Sequence, residues 1–331
     1  MRLEGGIFPF WLVGSPNGIR TGKRRFVFLT IPLLLISAIL TFYSIKTLSY
    51  LSQQCPDVMG FYHFKPMISS KVYSDDGRLI HQFFIENRTP ISLDEVSQHL
   101  KNAIIAVEDS RFYEHRGIDL KGIVRAYLRN LRTGKVAEGG STITQQIVRT
   151  ILLDTETTLS RKIKEALLAW RLERRFSKEQ ILEKYLNQVY FGSGAWGVES
   201  AAQTYFGKSA SNLNLEESAF LAGLVQSPNI YYPYGDATKA IKRRKHVLLR
   251  MADQGMISFD EALEASRKPL YLKSKKVSKF ANYFIEYIRR ILEERYGTRR
   301  LFQRGLRIHT TLDIEMQEVA EDALRDGLLN L

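Results

Sequence analysis

The stretch AIIAVEDSRFYEHRG, residues 103–117, joins an apolar run to a cluster of charged side chains. Glu108 and Asp109 come directly after the apolar run. A carboxylate at the end of a buried element is poorly hydrated, which raises its pKa and suits it to exchange protons near neutral pH. Glu108 is therefore the first candidate for chemistry. The alternative is that Glu108 and Asp109 only end a helix and pair with Arg111 or His115.

The composition around this stretch is that of a folded chain. The sequence has 331 residues, of which 44% are hydrophobic and 25% charged, which suggests about two domains. The formal net charge of +13 favours an acidic partner, and nucleic acid, anionic lipid and phosphorylated substrates all qualify. Cys55 is the only cysteine, which excludes an intramolecular disulfide and a cysteine-based zinc site.

A membrane span is predicted upstream. Residues 26–45 are twenty residues without a charge, long enough to cross a hydrocarbon core about 30 Å thick. The basic cluster of residues 23–25 precedes them, so the positive-inside rule leaves the N-terminus in the cytoplasm and everything after about residue 50 outside. A buried core helix is the alternative for this segment.

Three further elements flank the opening stretch. Two apolar runs in residues 71–86 surround Asp76-Gly77, which predicts a hairpin. Ser92 begins a Ser-x-x-Glu capping box, so a helix should run from there to about residue 107 and carry Glu108 at its end. Residues 118–132 form a basic amphipathic helix, which either lies at a lipid interface or packs its apolar stripe on a core.

Two helices with polar faces are predicted downstream. The first starts at a Thr-x-x-Gln box and extends to about residue 153, with Gln146 and Arg149 on one face. The second covers residues 160–175, and its apolar periodicity turns a set of three side chains inward: Ile163, Leu167 and Trp170. Arg161, Lys162 and Glu165 lie one turn apart, a cluster that is usually a solvated salt-bridge face.

Several classes of chemistry are excluded by absent motifs. The sequence has no nucleotide-binding Gly-rich loop, no HExxH pair, no Ser-x-x-Lys and no Lys-Thr-Gly. What remains is carboxylates with Arg, Lys and Gln on a helical, membrane-tethered domain. A carboxylate pair suits chemistry at a sugar anomeric carbon, and the cations could neutralise a departing phosphate.

Five ordered segments carry a resemblance to a known family, the family 51 peptidoglycan glycosyltransferases found in class A penicillin-binding proteins and monofunctional transglycosylases. The segments are EDSRFYEHRG at 108–117, GGSTITQQIVR at 139–149, RKIKEALLAWRLE at 161–173, ILEKYLNQVYFGSGAWGVESAAQTYFGK at 181–208 and ESAFLAGLVQSPNIYYP at 217–233. Their order over about 170 residues makes the likeness more specific than any single motif would.

The resemblance implies a mainly α fold: a single transmembrane helix, a lysozyme-like α-helical glycosyltransferase domain and a small α/β linker segment at the C-terminus. The expected divisions are a cytoplasmic tail, the transmembrane helix, a β-rich lead-in, the glycosyltransferase domain, and a linker that opens a missing transpeptidase domain. These divisions span residues 1–25, 26–48, 49–91, 92–268 and 269–331 respectively. Residues 305–324 are similar to the segment that leads into the penicillin-binding domain, so truncation before that domain is expected.

The implied reaction is polymerisation of lipid II into β-1,4 glycan strands, with inversion at C1 and release of polyprenyl pyrophosphate. Glu108 corresponds to the general base and Glu165 to the second essential carboxylate, which would hold pyrophosphate directly or through Mg or Mn. No organic cofactor is implied. The family usually has Lys where Arg149 stands, and Arg and Lys are not interchangeable, so this assignment is weaker than the others. The substrate-binding set implied by the motifs is Asp109, Arg111, Ser141, Thr142, Gln145, Gln146, Arg149, Arg161 and Lys162.

The implied partners are lipid II, the growing glycan strand, membrane lipids and cell-wall synthesis proteins, with no nucleic acid. The catalytic domain is expected on the outer face of the cytoplasmic membrane of a bacterium. Two alternatives stay open: a lysozyme-like glycan hydrolase, and an inactive membrane-anchored scaffold for cell-wall assembly. Glu183 also matches a motif position, but its neighbours are packing residues, which favours a structural role.

Overall fold

The structure, a computed structural model, describes residues 18–134, 139–153, 158–234, 237–273 and 280–330. These residues form fourteen α-helices and six short strands, so the predicted mainly α class is confirmed. The chain divides into two compact units, Met1–Cys55 and Pro56–Leu331, which are described separately.

The first unit contains one long helix, α1 (Gly18–Gln53). Its segment Leu33–Gln53 is long and apolar enough to cross a membrane, judged by length and composition. The side chains from Leu33 to Tyr50 are exposed to the surroundings, as a lipid-facing helix requires and a buried core helix does not. The predicted span of residues 26–45 lies within α1.

The second unit begins with a short helix, three strands and the helices that carry the opening motifs. Their bounds are α2 (Met59–His63), β1 (Ser70–Tyr73), β2 (Leu79–Phe83), β3 (Asn87–Arg88), α3 (Gln98–Glu108), α4 (Leu120–Thr133), α5 (Ile143–Leu152), α6 (Leu159–Leu172) and α7 (Lys178–Gln188). The remaining elements are β4 (Tyr190–Gly192), β5 (Ala195–Trp196), α8 (Val198–Tyr205), α9 (Leu215–Val225), α10 (Ala237–Asp253), α11 (Phe259–Arg267), α12 (Asn282–Tyr296), α13 (Thr298–Gln303), β6 (Arg307–His309) and α14 (Ile314–Leu329).

The main core forms where α3 packs against α9 and α10, and where α5 packs against α6 and α7. Helix α9 is buried along nearly its whole length, including Phe220 and Leu221, because its sequence is apolar all round. Helix α3, which packs against α9, buries Leu100, Ile104 and Ala106. This packing holds the end of α3, and with it Glu108, against the other helices.

Capping residues explain where several of these helices begin. Thr142 forms a complete capping box at the start of α5, as predicted, and Ser177 forms another at the start of α7. The box at Ser92 instead caps a single 3₁₀ turn, Leu93–Glu95, and α3 begins at Gln98. The predicted single helix is interrupted because Val96 adopts an extended backbone and buries its side chain.

Two small sheets lie outside the helical core. The predicted hairpin around Asp76-Gly77 is confirmed as the antiparallel pair β1–β2, and β6 adds to β1 in parallel. Their apolar faces meet α12 and α13 in a second core cluster formed by Val72, Phe83, Ile285 and Leu301. The other sheet has the order β3-β5-β4. The C-terminal strand and helices therefore share a core with the segment at residues 70–83.

The inward face of α6 differs from the sequence prediction. Trp170 is 44% exposed, and Ile163 and Leu167 are only partly buried. The face that turns inward instead carries Glu165, Leu168, Ala169 and Leu172. Apolar periodicity assigned the helix correctly but selected the wrong face, because the true inward face contains a carboxylate.

Candidate active site

Glu108 is the last residue of α3, and its position follows from the packing of that helix. The apolar residues before it are buried, and Asp109 leaves helical geometry immediately after it. The half-buried Glu108 side chain therefore projects from the end of a fixed helix into a cavity of about 140 Å³. The expected placement of Glu108 at a helix end is confirmed.

The carboxylate of Glu108 accepts a hydrogen bond from Nε2 of Gln146 at 2.9 Å. Burial raises the pKa of this carboxyl group, and the neighbouring charge of Asp109 acts in the same direction. The bond from Gln146 and the cations Arg243 and Arg149 oppose this rise. A carboxyl group with a raised pKa is suited to accept a proton near neutral pH.

Asp109 faces protein partners. Its carboxylate lies 3.0 Å from Nε2 of His115 and accepts a hydrogen bond from the backbone N–H of Ile143, also at 3.0 Å. Its side chain is 3% exposed. Substrate contact by Asp109 remains a prediction of the resemblance, whereas the geometry gives this residue a positioning role between α3 and α5.

A second carboxylate lies on the other side of His115. Glu173 comes within 3.9 Å of Nδ1 of His115, accepts a hydrogen bond from Thr144 and pairs with Lys178 at 2.7 Å. The ammonium group of Lys178 also lies over the ring of Phe112, 4.5 Å from its centroid. This buried polar network ties the first motif to α5, α6 and α7.

Glu165 is buried within a cluster of cations. Only 1% of its side chain is exposed, and it lies 2.7 Å from Nζ of Lys162 and 3.4 Å from Nε of Arg161. Lys162, which is 47% exposed, also donates to the hydroxyl oxygen of Ser141 at 2.8 Å. The cluster is therefore not a solvated salt-bridge face: a buried carboxylate holds a lysine at the surface beside the second motif.

The other predicted site residues fall into three environments. Thr142 and Gln145 are buried and bind each other's backbone in a capping box, which is a structural role. Arg111 pairs with Glu114 and Asp119. Arg149 is exposed on α5, on the same helix as Gln146. Glu183, interpreted as structural, accepts a hydrogen bond from the backbone N–H of Leu93 at 3.0 Å.

The donor set around Glu165 does not fit a divalent cation held by the protein alone. Among the described residues no group of three or more His, Cys, Asp or Glu side chains could hold a metal ion. The side chains at Glu165 are cations, which repel Mg²⁺ and Mn²⁺ and offer no oxygen ligands.

The cavity beside Glu108 also contains residues that sequence reasoning missed. Arg243, His246 and Arg250 line it from α10, and Gln226 lines it from the end of α9. The three α10 residues are spaced three and four apart, so they share one helix face. This spacing, within the basic run of residues 242–250, is the sequence signal that could have identified the three residues. A solvated helix face has the same pattern, so the signal is not specific.

Helix α4 also contributes to the wall of the cavity. Arg125 and Arg129 line the cavity, and Ala126 is buried. The apolar stripe points elsewhere and is exposed at all six positions, from 40% to 71%: Leu120, Ile123, Val124, Tyr127, Leu128 and Leu131. Of the two alternatives for this helix, packing of the stripe on a core is therefore wrong.

Comparison with known proteins shows which family and which proteins this chain resembles. The profile of the transglycosylase family matches residues 76–252, more than half of the chain. Penicillin-binding protein 1A of Aquifex aeolicus is 43% identical over 273 residues, which are 82% of this chain and 38% of that protein. Penicillin-binding protein 1A of Escherichia coli is 40% identical over 284 residues, 85% of this chain and 33% of that protein.

A crystal structure of penicillin-binding protein 1A from Haemophilus influenzae is also similar, with a TM-score of 0.47 and 26% identity. It is matched over 81% of this chain and 30% of its own length. The chain thus spans well under half the length of these relatives.

Proposed function

Because this chain belongs to the transglycosylase family, we propose that it polymerises lipid II into β-1,4 glycan strands. The donor is the growing strand, joined to a polyprenyl lipid through pyrophosphate, and the acceptor is the 4-hydroxyl group of the next lipid II. The observation that carries the proposal is the carboxylate of Glu108, which is half-buried at a cavity lined by arginines. Such a site offers both a base and cations for a phosphate-bearing substrate.

Glu108 acts as the general base in this proposal. Its raised pKa suits it to take the proton of the acceptor 4-hydroxyl group as that oxygen attacks C1 of the donor. The bond between C1 and the pyrophosphate oxygen breaks on the opposite face, and its electron pair leaves with pyrophosphate. Attack from the face opposite the leaving group inverts the α linkage to β. The hydrogen bond from Gln146 fixes the carboxylate for this proton transfer.

The leaving pyrophosphate is stabilised by the cations near Glu165. Lys162 is held by Glu165 at 2.7 Å and remains 47% exposed, so its ammonium group can reach a ligand. Ser141 lies beside it, and Arg161 contributes a second charge. Glu165 acts by placing Lys162, because a bound cation aimed at developing negative charge needs no reorganisation during the reaction.

Membrane attachment matches substrates that carry lipid tails. Among the described residues α1 contains the candidate span, which fits a single-pass anchor. The exposed stripe of α4 would enter the lipid interface while Arg125 and Arg129 face the cavity. The charge pattern of residues 23–25 supports a cytoplasmic N-terminus, with catalysis on the outer face of a bacterial cytoplasmic membrane.

The proposal is tested by incubating the whole chain in detergent with lipid II and, separately, with purified glycan. Polymer formed from lipid II is the expected result. Soluble fragments formed only from glycan would identify a hydrolase, and no turnover of either substrate would favour the scaffold alternative. The variant Glu108→Gln should polymerise about 10²–10⁴ times more slowly, because the general base is lost. The matched control is Glu183→Gln, which alters a carboxylate bound to a backbone N–H and should retain polymerisation.

A further inference from the structure

A chain of two hydrogen bonds connects Glu108 to a buried tyrosine on a different helix. Nε2 of Gln146 on α5 donates to Oε2 of Glu108 at 2.9 Å. The hydroxyl group of Tyr185 on α7 donates to Oε1 of the same Gln146 amide at 3.2 Å. Tyr185 is 2% exposed, so its hydroxyl group is shielded from water.

The two ends of an amide are not equivalent, and this bond chain requires one orientation. An ionised carboxylate can only accept hydrogen bonds, so Glu108 needs the NH₂ end of Gln146. The phenol of Tyr185 is protonated at neutral pH and able to donate, and burial raises its pKa well above the usual value. A donated bond to Oε1 turns the carbonyl end of the amide toward Tyr185 and leaves the NH₂ end facing Glu108.

The opposite amide orientation would have a definite consequence. The carbonyl oxygen of Gln146 would face the carboxylate of Glu108, and two acceptors would oppose each other. Protonation of Glu108 would relieve this clash, since the carboxylic acid can donate to the carbonyl. A carboxyl group that is already desolvated therefore depends on the amide orientation to stay ionised.

We propose that Tyr185 is a positioning residue for the reaction: it holds the Gln146 amide with its NH₂ group on Glu108 and so keeps the base ionised. This inference rests on the proposed function, in which Glu108 is the general base. Tyr185 touches no reacting atom and acts only through Gln146.

Other charged groups also face Glu108, and they are unaffected by the amide orientation. Arg243 on α10 and Arg149 on α5 favour the ionised form, and Asp109 disfavours it. Further titratable groups line the same cavity: Asp119, Arg125, Arg129, His246 and Arg250. All of these charged groups are retained when only the hydroxyl group of Tyr185 is removed. A change in the protonation of Glu108 would therefore come from the loss of the hydrogen bonds that run through Gln146.

The first experiment compares pH–rate profiles of lipid II polymerisation for the whole chain and for Tyr185→Phe. The acid limb of the variant should move to higher pH by about one unit, the order expected when a hydrogen bond to a charged group is lost. The rate on the alkaline plateau should stay close to that of the unaltered protein, because ionised Glu108 again draws the NH₂ group toward itself. An unmoved acid limb would overturn the proposal.

The matched control is Tyr205→Phe. Tyr205 is another buried tyrosine, whose hydroxyl group donates to the carbonyl oxygen of Phe191 at 3.0 Å and lies 3.2 Å from Ser193. Removing this hydroxyl group leaves a similar buried acceptor without its donor, but it does not touch Gln146. Its melting temperature should fall about as much as that of Tyr185→Phe, with the acid limb unmoved. A shift in both variants would show a general effect of stability and contradict the proposal.

The variant Gln146→Leu provides a second test of whether Tyr185 acts on Glu108 through Gln146. It should move the acid limb upward by itself, and Tyr185→Phe added to it should produce no further shift, because Tyr185 acts through the amide. Additive shifts in the double variant would overturn the proposal. This comparison stays informative even when Tyr185→Phe alone folds poorly, because it sets the single variant Gln146→Leu against the double variant that also carries Tyr185→Phe.

A measurement without substrate separates this inference from the proposed function. The carboxyl carbon of Glu108 can be titrated by ¹³C NMR in the whole chain in detergent, with its signal assigned by its loss in Glu108→Gln. The titration midpoint should rise in Tyr185→Phe and stay in place in Tyr205→Phe. When lipid II is not polymerised the proposed function fails, and the NMR titration still decides whether Tyr185 controls Glu108.

Discussion

The backbone N–H of Ile143 donates a hydrogen bond to Oδ2 of Asp109 over 3.0 Å, although 34 residues separate the two in sequence. This bond holds the first turn of α5 against the residue that follows Glu108. Gln146 lies one turn further along the same helix and donates to Glu108. The bond between Asp109 and Ile143 therefore sets the distance between the base and the amide that binds it.

Asp109→Asn should disrupt this arrangement. An amide cannot accept hydrogen bonds from Ile143 and His115 with the strength of a carboxylate, so the free energy of unfolding should fall by roughly 1.5–3 kcal/mol. Polymerisation should fall about 100-fold, because a small displacement of Gln146 misplaces Glu108. Thermal melting in detergent and lipid II turnover measure the two effects.

Glu199→Gln is the matched control for Asp109→Asn. Glu199 is also a buried carboxylate that accepts a backbone hydrogen bond, from Ala210 at 2.7 Å, but it lies outside the cavity beside Glu108. It should lose stability without a comparable loss of activity. Unchanged stability of Asp109→Asn, together with a raised KM for lipid II, would instead support the substrate contact that the family resemblance implies.

Glu165→Gln should impair the reaction through Lys162. The neutral amide no longer holds the ammonium group near Ser141, so polymerisation should fall about 100-fold. The control is Glu217→Gln, because Lys208 and Glu217 form a similar pair, also at 2.7 Å with the lysine 43% exposed. Both variants should melt at similar temperatures. Equal polymerisation rates of the two variants would show that the ion pair between Lys162 and Glu165 has only a structural role.

Local sequence signals predicted the helices well. The capping boxes at Thr142 and Ser177 determine helix starts through contacts within four residues, so no knowledge of the fold is needed to find them. The turn at Asp76-Gly77 and the long apolar run in α1 are equally local. The motifs of the resemblance also marked Glu108, Gln146, Lys162 and Glu165, all of which the structure places in hydrogen-bonded pairs.

Contacts between distant segments could not be predicted in the same way. Glu165 has the spacing of a surface salt bridge, and only the packing of α5 against α6 decides that it is buried. Arg243 belongs to a basic run that resembles a solvated helix face, and its proximity to Glu108 follows from the packing of α10 on α3. The parallel pairing of β6 with β1 joins residues more than 200 positions apart.

Arg243→Met should change the pH dependence of polymerisation. The guanidinium group of Arg243 lowers the pKa of Glu108, so its removal should raise that pKa further. Glu108 works as the ionised base, and the rate on the acid limb should therefore fall while the limb moves to higher pH. Lys242→Met removes the same charge from an exposed position on the same helix and should leave the limb in place. A limb unmoved in Arg243→Met would show that this cation does not act on Glu108.

The exposed apolar stripe of α4 should lie in the membrane interface. Cys55 is the only cysteine, so Cys55→Ser gives a background in which Leu128→Cys can carry a single nitroxide label. In vesicles containing anionic lipid, this label should collide more often with oxygen than with a water-soluble nickel complex, because an interfacial helix buries its apolar face about 5–10 Å below the headgroup boundary. A label at Asp260→Cys, on the exposed surface of α11, should show the opposite preference. If both labels instead collided more often with the nickel complex than with oxygen, the stripe would lie in water. Helix α4 could then not guide lipid-linked substrates toward Arg125 and Arg129.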